Sequence, residues 1–154
     1  MTLAELKARV DEAEEGSREL DALIWAAMEG LKVTYEGPDE GHSEVWAEGL
    51  ANTYHLGYRD DGQHTKHFTP VLQVDPVSTS VDAALALIEA KLPGYGFTVG
   101  RQAPEFKAEA TLYGPALPWP ESTRLSDWKH AKHNDMVLAV ISALLAALIA
   151  KEQA

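Results

Sequence analysis

The sequence predicts an α/β fold of the α+β kind, a small layered sandwich in which an antiparallel sheet is packed by helices, including a long C-terminal helix. Three observations carry this expectation. Residues 77–114 read as a capped amphipathic helix followed by two runs of strict apolar/polar alternation. Residues 2–30 hold two closely spaced helix starts, and from Met136 apolar residues recur at three- and four-residue spacing. With 154 residues the chain has the length of a single domain, able to bury roughly 70% of its unfolded surface without staples.

Thr2 and Glu5 form a capping box, so a first helix starts there, with Leu3, Leu6, Val10 and Ala13 on its apolar stripe and Gly16 placed to end it. Ser17 caps a second helix whose first turn carries Glu19 and Asp21. Its buried face is Leu20, Leu23, Ile24, Ala27 and Met28, and Gly30 closes it. Together residues 2–30 make a helical hairpin. Residues 31–76 form an irregular, β-rich segment: LKVTYE reads as a short strand, GPDEGHSE as an acidic turn-rich loop, and Val45-Trp46 as the start of another extended piece. Asp61-Gly62 suits a hairpin between Tyr54-His55-Leu56 and His67-Phe68.

In the 77–114 unit, Ser78 or Thr79 is expected to cap a helix running to about Leu92, with Thr79 and Asp82 as a second capping box, before Pro93-Gly94 stops it. Tyr95, Phe97 and Val99 then alternate with polar or glycine positions, and so do Phe106, Ala108, Ala110 and Leu112, which predicts two antiparallel strands joined through the RQAPE turn. Residues 115–133 read as a connector made rigid by Pro115, Pro118 and Pro120, with one helical turn expected between Ser122 and Lys132. Residues 134–151 are the C-terminal helix.

Composition limits the chemistry. The chain has no Cys, which excludes a disulfide framework, a thiolate nucleophile and a Cys-ligated metal. Its acidic opening lacks the basic leader and apolar run of a secretory signal, so a cytoplasmic protein is expected. The most apolar stretch, Met136 to Ala150, is shorter than the ~20 residues that cross a bilayer, so no membrane partner is expected. A net charge of −11, with 24 acids against 13 Lys and Arg, disfavours non-specific nucleic-acid binding. A small anion held by well-placed bases is compatible with it.

The run Ser78 to Ile88, STSVDAALALI, followed by the turn Leu92-Pro93-Gly94-Tyr95, resembles the signature of the phage ABA sandwich domain family, small proteins of phages and prophages. Val10 to Met28 resembles the opening helices of those proteins, and the Ala/Leu helix from Met136 resembles their C-terminus. The likeness touches about half the chain, in blocks of the right order. It implies a layered sandwich and a phage or prophage accessory protein in the cytoplasm of an infected bacterial host. It carries no catalytic residues.

Candidate chemistry lies outside those blocks. His64 with His67, and His130 with His133, are HxxH pairs; on a helix each pair would share one face, as metal ligands often do, with Asp127 or Asp135 near the second. A metal-dependent hydrolase would be built on them, against the plainer reading of surface histidines flanked by Lys. Asp39-Glu40 and Asp60-Asp61 suit solvated turns better than paired acid and base work. Phosphate loops, nucleophile elbows and dinucleotide fingerprints are missing from the sequence. Trp46, Tyr54, Tyr58, Phe68, Trp119 and Trp128 fall in the segments read as irregular, where they either plug satellite cores or line a ligand surface. The ligand set read from them is Trp46, Tyr54, Tyr58, Arg59, Trp119 and Arg124, with Arg101 and Lys132 as further phosphate partners.

The resulting expectation is a non-enzymatic interaction module with a host protein as partner, self-association as a homo-oligomer remaining open, and no cofactor. A small-ligand binder that sequesters a nucleotide signal of antiphage defence is the alternative, and the histidine-based hydrolase the second.

Overall fold

The computed structural model describes residues 1–39, 42–48, 53–59, 74–115 and 128–154. Helix α1 spans Leu3–Glu12 and α2 Arg18–Met28; strands β1 Lys32–Asp39, β2 His42–Glu48 and β3 Thr53–Arg59 follow. Helix α3 spans Val81–Lys91, strands β4 Gly96–Gly100, β5 Ala108–Tyr113 and β6 Trp128–His133 come next, and α4, Met136–Glu152, closes the described chain. The strands form two antiparallel three-stranded sheets, ordered β1-β2-β3 and β4-β5-β6. The layout is α+β, with α4 packed on the second sheet, on α1 and on α3, while α2 lies beside the first sheet.

Local chemistry explains most of the element ends. The Thr2 hydroxyl accepts from the Glu5 amide, and the Glu5 carboxylate accepts from the Thr2 amide at 2.7 Å, closing the capping box. The Thr2 bonds lower the carboxyl of Glu5 below its ordinary value. Ser17 caps α2 through the Leu20 amide, and Gly30 follows it at φ +67°, a left-handed conformation that suits glycine. Gly94 does the same after α3 at φ +84°.

Several expectations need correction. Helix α1 ends at Glu12 with Ala13 as its cap, not at Gly16. Ser80 caps α3, accepting from the Ala83 amide, so neither Ser78 nor Thr79 is the cap and the Thr79–Asp82 box is not made. The acidic GPDEGHSE segment is largely strand: β1 runs to Asp39 and β2 begins at His42. A register shift falls between Glu36 and Asp39, around Pro38, which has no amide to give the ladder and sits on an edge strand where that is tolerated. Residues 128–133 are strand β6, paired along its length with β5, instead of connector or helical turn. The hairpin expected at Asp61-Gly62 lies outside the described residues, as does the Pro118–Pro120 part of the connector.

Helix α4 is the centre of the core. Leu138 to Leu145 are buried without interruption, and so is Ala147. A helix apolar all round is one with neighbours all round, which is how α4 stands among α1, α3 and the second sheet. Each fully buried Leu or Ile contributes roughly 1.5–3 kcal/mol before entropy is subtracted. The inner positions of β5 and β6 facing the core are mostly small, Ala108, Ala110 and Ala131, which lets helix and sheet backbones approach closely. The polar Ser142 of α4 is buried, and its hydroxyl donates to Asp11 Oδ1 of α1 at 2.5 Å. Asp135 caps α4 by accepting from both the Val137 and Leu138 amides, at 2.8 and 3.1 Å. Asp135→Ala should cost about 1–2 kcal/mol in urea unfolding; an unchanged midpoint would refute this account of the cap.

A buried polar clasp joins α2 to the segment before α3. Asp21 is fully buried, and its Oδ1 accepts from the amide of Ser78 and from its hydroxyl, both at 2.7 Å. Ser78, also fully buried, receives the Ser17 amide on its hydroxyl at 3.0 Å. Arg18 closes the outside, bonding Asp21 Oδ2 at 2.7 Å and the Val74 carbonyl at 2.6 Å. At this junction Gly16 lies against the Ser78 backbone so closely that an added Cβ would stand 1.9 Å from its carbonyl oxygen.

Candidate functional site

The second sheet has two faces of opposite character, fixed by register. Thr98 pairs with Thr111 and Thr111 with His130; Gly100 pairs with Glu109 and Glu109 with Lys132; Gly96 pairs with Tyr113 and Tyr113 with Trp128. Because strand residues alternate between faces, these rows lie on one side. The positions between them, Ala108, Ala110, Leu112, Ala131 and His133, are buried against the core. The side opposite the core is exposed or half-buried throughout.

That outer face is polar, aromatic and internally bonded. The Thr98 and Tyr113 hydroxyls lie 3.3 Å apart, and Thr111 Oγ1 lies 2.8 Å from His130 Nδ1. Tyr113 and Trp128 meet edge to face, with centroids 4.9 Å apart at 84°, a favoured aromatic geometry. Trp128 is nonetheless 48% exposed. Lys132 Nζ bonds Glu109 Oε1 at 2.7 Å. This hydrogen bond lowers the Glu109 carboxyl below its ordinary value against an opposing desolvation effect, and the charges of Lys132 and His130 act in the lowering direction.

At the β4–β5 turn end, this face becomes an open groove of about 730 Å³, lined among others by Thr98, Gly100, Arg101, Phe106, Lys107 and Lys132. Its floor is bare at Gly100, where an added Cβ would meet nothing within 4 Å. Phe106, expected from its alternation to be an inward strand residue, instead precedes β5 and is 55% exposed on the groove wall. Arg101 donates through Nη2 to the carbonyl of Asn134, which fixes one edge of its guanidinium and leaves its other N–H groups for a ligand. Lys107 has no carboxylate partner among the described residues. Three cations thus border one concavity whose single lining carboxylate, Glu109, is already paired with Lys132. No family model, curated protein or solved structure matches the chain. The site's chemistry is therefore read from its own residues.

The other candidates are dispersed. His130 and His133 sit on a strand, where three-residue spacing puts them on opposite faces: His130 is on the outer face, while His133 is buried and its Nδ1 accepts from the Asp135 amide at 2.8 Å. The shared helical face expected of this pair is therefore not formed. His64, His67, Trp119 and Arg124 lie outside the described residues, as do Phe68 and Asp127. Among the described residues, no group of three or more His, Asp or Glu is placed to hold a metal ion. Trp46 is on β2, where an extended piece was expected to start, and Tyr54 is on β3, where a hairpin strand was expected, with Tyr58 and Arg59 further along the same strand. Register puts positions 46 and 59 on one face of the first sheet and 54 and 58 on the other. Of the residues named from sequence as anion partners, Arg101 and Lys132 share the groove. Thr98, Phe106, Lys107, Glu109 and Thr111 were not among them. No local pattern marks this third strand, because Trp128 to His133 lacks an apolar/polar alternation, and only pairing with β5 brings Lys132 beside Glu109.

Proposed function

We propose that this chain is a non-enzymatic binding module, an accessory protein of a phage or prophage whose groove on β4–β6 takes up a small nucleotide-like anion in the cytoplasm of an infected host. The observation that carries the reading is the grouping of Arg101, Lys107 and Lys132 with the exposed ring of Phe106 around one concavity, in a chain of net charge −11. An acidic protein repels anions in general, so a local concentration of cations beside an aromatic face favours a ligand with a charged group and a flat one. Phage origin is supported by the likeness of Ser78–Ile88 and Leu92–Tyr95 to the ABA sandwich signature. Sequestration of a nucleotide signal used in antiphage defence is the role such a groove would serve. Among the described residues no helix is long and apolar enough to cross a membrane.

A thermal-shift panel of cyclic nucleotides and ADP-ribose derivatives tests this. A ligand present at a hundred times its Kd stabilises by about 2.7 kcal/mol, which for a chain of this size raises the melting temperature by about 5–10 °C. No shift across the panel would refute ligand binding and return the host protein as the partner to seek, by pull-down from a host lysate.

A further inference from the structure

The geometry points to a phosphate subsite at the β4–β5 turn end of the groove, formed by Arg101, Lys107 and Lys132, in which the Glu109 carboxylate is a resident competitor that an incoming phosphate displaces from Lys132. The inference deepens the ligand reading above and rests on it. Gly100, Glu109 and Lys132 are register partners in one row across the sheet. Arg101 follows Gly100 directly, and its tether to the Asn134 carbonyl holds it at the same end. A phosphate above the bare floor at Gly100 is therefore flanked by Arg101 on one side and by the Glu109–Lys132 pair on the other. Arg suits this task because its planar fork binds oxyanions bidentately, while Lys acts as a mobile point charge.

Glu109 occupies the position that a ligand oxyanion would take. Its bond to Lys132 is made between side chains that are 48% and 57% exposed. Exposed pairs of this kind are weak, so a dianionic phosphate can replace the carboxylate on Lys132. When the groove is empty, the same carboxylate neutralises one of its cations, so weak monoanions find little advantage there. The arrangement selects for multiply charged phosphates, such as the diphosphate of a nucleotide derivative.

The test is calorimetric titration of pyrophosphate into the full chain and its variants at constant ionic strength. Glu109→Gln should bind about threefold to fivefold more tightly than wild type, the scale of an exposed ion pair that no longer has to be broken. The gain should vanish when Lys132→Gln is added, and Glu105→Gln, which removes a charge from the exposed β4–β5 turn, should not reproduce it. Gly100→Val fills the floor at an open position of a strand and should abolish binding with the fold intact by circular dichroism. A gain that persists without Lys132 overturns the competitor role, because it would reflect net charge alone. Absence of pyrophosphate binding in both wild type and Glu109→Gln, or normal binding by Gly100→Val, overturns the subsite. The two readings separate cleanly. If pyrophosphate binds in the groove but nucleotides bind no better, the nucleotide reading fails and the subsite stands. If nucleotides bind wild type and Glu109→Gln equally, the competitor fails and the nucleotide reading stands.

Discussion

Gly16→Ala should cost about 3 kcal/mol and lower the melting temperature by about 6–12 °C. The added Cβ would stand 1.9 Å from the carbonyl oxygen of Ser78, 2.5 Å from its carbonyl carbon and 2.8 Å from Thr79 Cγ2. The first two are backbone atoms, so no rotamer change relieves the contact. The segment must move instead, and it is bonded on both sides of the clash, through the Ser17 amide to Ser78 Oγ and through the Ser78 amide to Asp21. Overpacking commonly costs 1–3 kcal/mol; a collision with backbone at a hydrogen-bonded junction belongs at the top of that range. Gly100→Ala is the control, since a Cβ there meets nothing within 4 Å. A Gly16→Ala protein within about 0.5 kcal/mol of wild type in urea unfolding, the range of ordinary surface changes, would refute this packing.

Asp21→Ala should destabilise by a comparable amount, about 3 kcal/mol. The ion pair with Arg18 is the smaller part, because Arg18 is 48% exposed and regains water when released. The larger part is what stays behind: the amide of fully buried Ser78 loses the Asp21 oxygen as its acceptor, while the Ser78 hydroxyl keeps the Ser17 carbonyl at 2.9 Å, and an orphaned buried polar group costs about 1–3 kcal/mol. Asp21→Asn keeps an acceptor of the same shape and should recover most of the loss. Ser78→Ala removes the hydroxyl that Asp21 serves, so in a double-mutant cycle the two losses should overlap instead of adding. Additivity within about 0.3 kcal/mol, as for distant independent sites, would show that the clasp is not a unit.

The difference between what the sequence disclosed and what it concealed follows the range of the interactions. Thr2, Ser17 and Gly30 act within a turn of their own helix, and their spacing announces the helix ends. Gly16 carries the same local signal as Gly30, yet its reason is contact with Ser78, far along the chain and invisible to any local pattern. Ser78 was obscured in the same way: beside Thr79 and Ser80 it is one of three plausible caps, and only its bond to Asp21, 57 positions away, sets it apart. Strand β6 was hidden by composition, because WKHAKH has no β-branched residue and follows a Pro-rich run. Losing that strand also hid the groove, since Glu109 and Lys132 become neighbours only through the β5–β6 register. Arg101 and Lys132 were recognisable as cations, but their convergence was not.

The bond between Asp11 and Ser142 spans 131 positions, and α4 is enclosed by elements drawn from both halves of the chain. Loop-closure entropy must be met before such contacts reward it, and chains dominated by distant pairings fold more slowly than helical bundles of similar size. Until α1 and the second sheet have closed around it, α4 is an apolar cylinder with no protected side, the kind of surface through which partly folded chains associate. The interior position that makes this helix the centre of the finished core thus also makes the order of assembly matter, with speed of enclosure guarding against self-association.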